Sequence, residues 1–338
     1  MNTLFQNALN KISQQTPPIW FMRQAGRYHK HYQALRAKHS FETLCREPEL
    51  AAKVALGPIQ DFDFDVSILF SDLLFPLDAM GMKLSYSDQG PHLEHSLMNG
   101  YQLRGYQYEQ ALSELSFQSQ ALKITRQMLP SNKSLIGFVG GFWTLFVYAA
   151  EGGHAGSLIP AKKLYPKSQE FVRHLIQLIE GNIAQQLAAG AEVVMIFDTS
   201  AGEVSSLFFK NEISKQLIKW AHQFPNRLGY YSKGTQPDFF TEEFLNAPWA
   251  GRGIDHRWDL MQSLKRNQKG FLQGNFDQAL LFQDTDDFKK SLTQYIEQIK
   301  KLTPTERSGW VCGLGHGVLP KTPESHVKLF IETIRKEF

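Results

Sequence analysis

Short runs of apolar residues recur along the chain, and stretches with helical spacing of apolar residues lie between them. Several runs are apolar almost throughout, as in VVMIF (Val193–Phe197), which is typical of strands buried on both faces of a parallel sheet. Strands that alternate with helices indicate an α/β protein. The runs predicted as strands are Ile19–Met22, Val66–Phe70, Leu135–Val139, Val193–Phe197, Leu228–Tyr231, Gly253–Ile254, Phe271–Gln273 and Trp310–Cys312.

Eight such units favour a closed (β/α)8 TIM barrel that occupies residues 1–338 as a single domain. An open, doubly wound sheet stays possible, because the fifth to seventh runs are weak strand signals. We find no linker, low-complexity tract or internal repeat. Helices are predicted from Pro48 through Ala55, over Gln169–Ala189, over Phe282–Leu302 and over His326–Ile334.

Composition excludes several classes of function. The net charge is +3, from 36 basic and 33 acidic residues, without a basic block that would suit nucleic acid or an anionic membrane. The two cysteines, Cys45 and Cys312, are far apart, so we expect neither a disulfide framework nor a cysteine-rich zinc site, and we expect a cytoplasmic protein. No secretory signal pattern precedes Pro17.

One uncharged stretch, SLIGFVGGFWTLFVYAA (Ser134–Ala150), resembles a membrane span. It is shorter than the roughly 20 residues that cross a bilayer, and it contains three glycines. A strand, a glycine turn and the start of a helix explain it better, so no membrane association is predicted.

Polar residues follow nearly every predicted strand, often beside glycine, and in such a barrel chemistry takes place at the C-terminal ends of the strands. Two arginines, Arg23 and Arg27, follow the first strand; in a helix their spacing would direct both side chains to one side. Forked guanidinium donors suit an anion with several acidic arms. Structural ion pairs would be the ordinary explanation for such a pair in isolation.

Asp72 and His316 are the other candidates that stand out. Asp72 follows an apolar run, so it is either a partly buried carboxylate of a site or a helix N-cap. His316, between two glycines, is a base, a ligand contact or a turn histidine. The Cys312-x3-His316 spacing lacks a third metal ligand nearby, so no metal is predicted, and His29 and His31 are expected to be solvated. Dinucleotide, P-loop, zinc-protease and serine-hydrolase signatures do not occur.

At these positions the chain resembles the uroporphyrinogen decarboxylase family. The specific segment is IWFMRQAGRY (Ile19–Tyr28), and FSDLL (Phe70–Leu74), GFVG (Gly137–Gly140), LQGN (Leu272–Asn275) and LGHG (Leu314–Gly317) also resemble family motifs. The resemblance covers nearly the whole chain. It implies a homodimeric (β/α)8 barrel in the cytoplasm that removes carbon dioxide from the four acetate arms of uroporphyrinogen III, giving coproporphyrinogen III for haem synthesis, without cofactor or metal.

The resemblance also implies the functional positions. Arg23, Arg27 and Asp72 would be catalytic and, together with Tyr148, Thr199 and His316, would bind substrate. Asp72 would accept pyrrole N–H bonds, and Arg23 or a water molecule held by it would donate a proton. Phe142, Thr199, His256 and Gln278 depart from the usual family residues, at positions expected to affect the cleft rim.

Two other functions stay open. A methyltransferase on a related barrel would need a thiolate-rich zinc site, which two distant cysteines do not favour. A non-catalytic tetrapyrrole-binding protein would keep the fold and the arginines but lose turnover.

Overall fold

The computed structural model describes residues 1–87, 90–154 and 156–338, in which nine strands are assigned. Seven of them form one parallel sheet in the order β1-β4-β5-β6-β7-β8-β9, and β2 and β3 form a separate antiparallel hairpin. The hairpin was not predicted. The strands are β1 (Val66–Ile68), β2 (Leu84–Ser87), β3 (Gly90–Leu93), β4 (Ser134–Gly140), β5 (Val193–Asp198), β6 (Leu228–Ser232), β7 (Gly251–Gly253), β8 (Phe271–Phe276) and β9 (Trp310–Leu314).

The segment around Ile19 closes the sheet into a barrel. Ile19 forms a parallel bridge with Cys312 of β9, and the Cys312 N–H donates to the carbonyl of Pro18 at 2.9 Å. On its other side, the Ile19 carbonyl accepts from the N–H of Asp65, just before β1, at 3.0 Å. This segment thus occupies the eighth position of the ring, and the closed barrel is confirmed in preference to an open sheet.

The predicted first strand, Ile19–Met22, is present only as this bridge. Pro18 has no N–H to donate, and the N–H of Ile19 donates to Oδ2 of Asp65 at 2.8 Å. A side chain therefore replaces one bond of the expected ladder, and the backbone turns after Phe21.

Helices surround the sheet, and the four predicted helical stretches are confirmed: two are longer than predicted, and the stretches predicted over Gln169–Ala189 and Phe282–Leu302 are shorter. The first of these begins with Pro48, a residue suited to the first helical position. The helices are α1 (Thr3–Leu9), α2 (Lys30–Arg36), α3 (Phe41–Arg46), α4 (Pro48–Phe62), α5 (Phe75–Leu77), α6 (Tyr108–Glu114), α7 (Ser116–Met128), α8 (Phe142–Glu151), α9 (Ile159–Leu164), α10 (Gln169–Ala188), α11 (Ser206–Phe208), α12 (Ser214–Gln223), α13 (Glu242–Asn246), α14 (Leu260–Arg266), α15 (Thr285–Lys300) and α16 (Glu324–Glu337).

The uncharged stretch at Ser134–Ala150 divides as predicted into a strand, a turn and a helix. All residues of β4 are buried in the sheet, and α8 begins after Gly141. Within the described residues, no helix is both long enough and apolar enough to span a membrane.

Candidate active site

The two arginines lie in a series of turns, so the helical spacing considered from the sequence is wrong. Arg23 has a left-handed backbone conformation with φ of 61°. The side chain of Gln24, 1% exposed, fixes this loop: its Oε1 accepts from the N–H of Phe21 at 3.1 Å, and its Nε2 donates to the carbonyl of Val66 at 2.9 Å. The loop that carries both arginines is therefore hydrogen-bonded to the start of β1.

Tyr28 and His29 hold the far end of the arginine loop. The Tyr28 hydroxyl donates to the carbonyl of Gln24 at 2.7 Å, and Nε2 of His29 lies 2.7 Å from a carboxylate oxygen of Asp61. The prediction that His29 is solvated is wrong: it is 1% exposed, because its ring packs on Phe62 at 4.9 Å. Burial lowers the pKa of His29, and Asp61 opposes that shift.

Arg23 extends across Gly317, which follows β9. A Cβ atom at Gly317 would lie 2.6 Å from Cδ of Arg23, so only glycine leaves room for this side chain. The Arg23 side chain remains in contact with water, yet protein surrounds it closely enough that burial lowers its pKa. The charge of Asp72 opposes this shift, and that of Arg27 adds to it. This combination of water contact and close protein indicates that Arg23 lines an open, concave cleft.

Asp72 faces the same cleft and is half-buried. Its Oδ1 accepts from the N–H of Leu74 at 2.8 Å, a turn within the loop after β1. The helix N-cap considered from the sequence is not observed, because α5 begins after Leu74. Burial raises the pKa of Asp72, whereas the Leu74 N–H and the charge of Arg23 lower it.

His316 is a neutral hydrogen-bonding group in this cleft. Its Nδ1 accepts from the N–H of Gly317 at 2.7 Å, which leaves the hydrogen of the neutral ring on Nε2. Burial lowers the pKa of His316 to about 4, and the charges of Arg23 and Lys233 contribute. At neutral pH, His316 can therefore donate from Nε2 without adding a charge.

Tyr148, on α8, is close enough to Asp72 and Arg23 to interact with their charges, whereas no such interaction is seen for Thr199 among the described residues. Burial raises the pKa of Tyr148, with a further contribution from Asp72 and an opposing one from Arg23. Thr199, half-buried directly after β5, has no hydrogen bond to another candidate in the described parts of the chain. The structure thus brings Arg23, Arg27, Asp72, Tyr148 and His316 together, with Thr199 on a neighbouring strand end.

A buried network that was not predicted connects the strand ends on either side of α8. Asp198, 0% exposed, accepts from the Thr144 N–H at 3.1 Å and hydroxyl at 2.5 Å, and from the Tyr230 hydroxyl at 3.3 Å. The Thr144 hydroxyl in turn accepts from the N–H of Ser200 at 3.0 Å. Asp198 therefore ties the first turn of α8 to β5, next to Thr199. Its position at a strand end was visible in the sequence, but its partners were not.

We expect Asp198→Asn to change how stability depends on pH. Burial raises the pKa of Asp198 from 3.8 to about 6, so the folded protein binds this proton more tightly than the unfolded chain. Stability therefore falls as pH rises from about 4 through 6, by about 3 kcal/mol in total. Between pH 5 and 7, the free energy of unfolding of the wild type should decrease by about 1 kcal/mol more than that of the variant.

Denaturant unfolding at several pH values measures this difference. Asp238→Asn, at an exposed position, is the matched control and should follow the wild type. Parallel pH dependences for wild type and Asp198→Asn would contradict the expected effect of burial on this carboxyl group.

Phe142, His256 and Gln278, which depart from the family pattern, differ in how they are placed relative to the core and the cleft. Phe142 is 1% exposed and packs on Trp220 with ring centroids 6.2 Å apart, so it belongs to the core and not to the rim. His256 lies against Gly315, where a Cβ atom would be 2.4 Å from the backbone nitrogen of His256. Gln278 begins a short 3-10 turn after β8. Of the three, His256 is next to the backbone that carries His316.

Two hollows elsewhere on the described surface lack the same chemistry. One hollow lies at the opposite end of the barrel, lined by residues such as Gln6, Asn226 and Gly270, and another lies beside His29 and Glu324. Neither is lined by a candidate residue. In residues 1–87, 90–154 and 156–338, no group of three or more His, Cys, Asp or Glu side chains could hold a metal ion. The absence of a cofactor from the reaction stays a prediction.

The chain is similar to known proteins over nearly its whole length. The family described as Uroporphyrinogen decarboxylase (URO-D) matches residues 1–337. The chain belongs to the uroporphyrinogen decarboxylase family. A uroporphyrinogen decarboxylase of Solibacter usitatus is 31% identical, and the alignment covers 99% of this chain and 98% of the relative. One of Francisella tularensis subsp. novicida is 32% identical, with 99% of each chain covered.

Solved structures support the fold of this uroporphyrinogen decarboxylase family member. A methyltransferase from Methanosarcina mazei superposes with a TM-score of 0.77 over 100% of this chain and 99% of its own, at 19% identity. A putative vitamin-B12 independent methionine synthase from Listeria monocytogenes gives a TM-score of 0.54 at 10% identity, with 96% and 98% covered. At these identities the likeness extends to the fold and not to the reaction.

Proposed function

We propose that this chain is a carboxy-lyase that converts uroporphyrinogen III to coproporphyrinogen III in haem biosynthesis, without a cofactor. The whole chain, residues 1–338, would form one barrel domain with the cleft at the C-terminal ends of the strands. The observation that carries the proposal is the convergence of two arginines and one half-buried carboxylate in that cleft. An anionic macrocycle with a nitrogen-rich centre requires both kinds of group.

Asp72 is proposed to hold the centre of the substrate. Loss of carbon dioxide from an acetate arm leaves an electron pair, and a pyrrole protonated at a ring carbon can accept it. The methylene carbon then takes up a proton to become the methyl group, and the ring carbon gives its proton back. The protonated ring is cationic, so an ionised Asp72 would stabilise the developing charge while accepting pyrrole N–H bonds. Because Leu74 occupies Oδ1, Oδ2 is the oxygen with more room for the substrate.

The remaining residues are proposed to bind the acidic arms. Arg23 and Arg27 would each form charged hydrogen bonds to carboxylates, contributing about 1.5–3 kcal/mol apiece. Tyr148, Thr199 and neutral His316 would donate hydrogen bonds to further arms. His316 suits this role because its Nε2–H is not used by Gly317, which contacts Nδ1.

Arg23 is also the candidate proton donor, with a water molecule held by Arg23 as the alternative. A guanidinium is a poor acid at neutral pH, since its ordinary pKa is about 12.5 or higher. Burial lowers the pKa of Arg23, which favours proton transfer from its guanidinium group.

Anaerobic incubation with uroporphyrinogen III tests the proposal. Chromatography of the oxidised products should show stepwise loss of four carboxyl groups, and added chelator should not slow the reaction. A protein that binds the tetrapyrrole but leaves every carboxyl group in place would instead be a non-catalytic binding protein. Methyl transfer with a bound metal would support the methyltransferase alternative.

We further propose, from the family likeness, that the protein is a cytoplasmic homodimer. Sedimentation equilibrium measures the assembly directly: a mass of twice 38.6 kDa is expected. A monomer at micromolar concentration would contradict it.

A further inference from the structure

Tyr86, on β2 of the hairpin, has a buried hydroxyl group without a hydrogen-bond partner within the described ranges. Burial of an unpaired hydroxyl is costly, and most buried polar atoms in folded proteins are paired. Strand β2 alternates between more and less buried positions: Leu84 is buried and Tyr86 half-buried, while Ser85 and Ser87 are exposed. The unpaired hydroxyl is therefore a feature of the protein interior.

Aromatic packing holds Tyr86 against the segment that carries Asp72. The ring of Phe41 lies 4.8 Å from that of Tyr86 and 5.9 Å from that of Phe70, edge to face in both cases. Phe70 is two residues before Asp72 in the loop after β1. The Tyr86 hydroxyl is close enough to Asp72 that it lowers the pKa of this carboxyl group.

Oδ2 of Asp72 can accept this hydroxyl on one lone pair and keep the other lone pair for a substrate N–H group. Its Oδ1 accepts from the Leu74 N–H at 2.8 Å, whereas no donor contacts Oδ2 at hydrogen-bonding geometry within the described chain. Burial and the charge of Asp72 raise the pKa of Tyr86 far above neutrality, so its phenol keeps its hydrogen. A small rotation of either side chain would complete a short O–H···O bond.

The other titratable groups that face Tyr86 do not compete for this hydrogen. Burial raises the pKa of Cys45 well above its ordinary value, so the thiol stays neutral. Glu42 is paired with Arg46, whose Nε lies 2.9 Å from its carboxylate, and Arg46 also contacts Asp78. On the cleft side, Asp72 is faced by Arg23 and Tyr148.

We propose that Tyr86 is a positioning residue that donates its hydroxyl hydrogen to Asp72 and holds the carboxylate in the orientation that receives the substrate. This inference rests on the proposed function of Asp72 and adds a residue to it. Tyr86 acts through Asp72, because its own hydroxyl is buried and its ring packs on Phe41. Without this bond, only the Leu74 N–H would hold the carboxylate, so the Asp72 side chain would be less restricted in orientation. The ionised form of Asp72 would also be less favoured.

Tyr86→Phe removes only the hydroxyl and keeps the packing with Phe41. We expect kcat/KM to fall by at least about tenfold across the pH profile, as loss of one hydrogen bond to a charged group implies, and to fall further at the acid end. The acid limb should move to higher pH, because a carboxylate with one donor fewer is protonated more easily. We expect kcat to change more than KM.

Tyr106→Phe is the matched control. Its hydroxyl is also buried and unpaired in the described structure, but its ring packs on His174 at 5.2 Å and its charged neighbour is Glu109. The pH profile of this variant should match the wild type. An acid limb at the same pH in Tyr86→Phe, Tyr106→Phe and wild type would overturn the inference.

A second measurement does not depend on turnover. In protein labelled with carbon-13 at aspartate carboxyl groups, the Asp72 resonance, assigned with Asp72→Asn, should titrate at higher pH in Tyr86→Phe. An unchanged titration would overturn the contact between Tyr86 and Asp72. A shifted titration in a protein that does not decarboxylate uroporphyrinogen would support the contact and overturn the proposed function, so the two failures are distinguishable.

Discussion

Replacement of Asp72 by asparagine is expected to lower kcat on uroporphyrinogen by about 10²–10³-fold, with at most a severalfold change in KM. The amide keeps an oxygen for the Leu74 N–H, so the local turn should persist. It removes the negative charge that would stabilise the cationic pyrrole, and its N–H₂ group would face pyrrole N–H groups. Steady-state kinetics under anaerobic conditions measure both constants.

Asp259→Asn is the matched control for this substitution. Asp259 also accepts a backbone N–H through its side chain, from Gln262 at 2.9 Å, but it is the N-cap of α14 and exposed. Asparagine is an equally good cap, so activity and stability should be close to wild type. Near-wild-type turnover of Asp72→Asn would remove Asp72 from the mechanism.

Gly317→Ala is expected to lower kcat/KM by about 10–100-fold while the melting temperature changes little. The new Cβ would lie 2.6 Å from Cδ and 2.8 Å from Cγ of Arg23. Because Gln24 fixes the backbone next to Arg23, the side chain must move and the guanidinium leaves its position. Loss of a charged hydrogen bond of about 1.5–3 kcal/mol accounts for the size of the effect.

A double-mutant cycle with Arg23→Gln establishes whether Gly317 acts through Arg23. On the Arg23→Gln background, the alanine should have little further effect, because the displaced group is already absent. Gly153→Ala is the control: a Cβ there meets no atom within 4 Å, so activity should be unchanged. Additive losses in the cycle would show that Gly317 matters for another reason.

Strands such as β5 could be predicted because two-sided burial leaves continuous apolar runs, whereas β7 has no apolar side chain and begins two residues before the predicted Gly253–Ile254. The extent of the first strand could not be predicted, because the Ile19 N–H donates to the side chain of Asp65, which is distant in sequence. Likewise, the spacing of Arg23 and Arg27 suggested a helix, whereas the left-handed backbone at Arg23 arises from tertiary bonds of Gln24. Local patterns do not contain such long-range hydrogen bonds.

Part of the candidate site could be predicted from the order of the strands. Strand ends of a barrel meet at one face, so Arg23, Asp72 and His316 could be expected together from their places along the chain. The contact of Tyr86 with Asp72 requires the position of the hairpin, and the partners of Asp198 require the position of α8. Both contacts depend on how separate segments pack. The sequence around Tyr86 does alternate between serine and apolar or aromatic residues, which is a strand signal but does not identify the contact.

The bridge between Ile19 and Cys312 has a consequence for the synthesis of this protein. The two residues are nearly 300 positions apart, so a nascent chain on the ribosome cannot complete its ring until β9 has emerged. Until then, the Ile19 segment and β8 are unpaired edges that need protection from aggregation. The glycine that accommodates Arg23 emerges later still, so truncated translation products would lack the assembled candidate site.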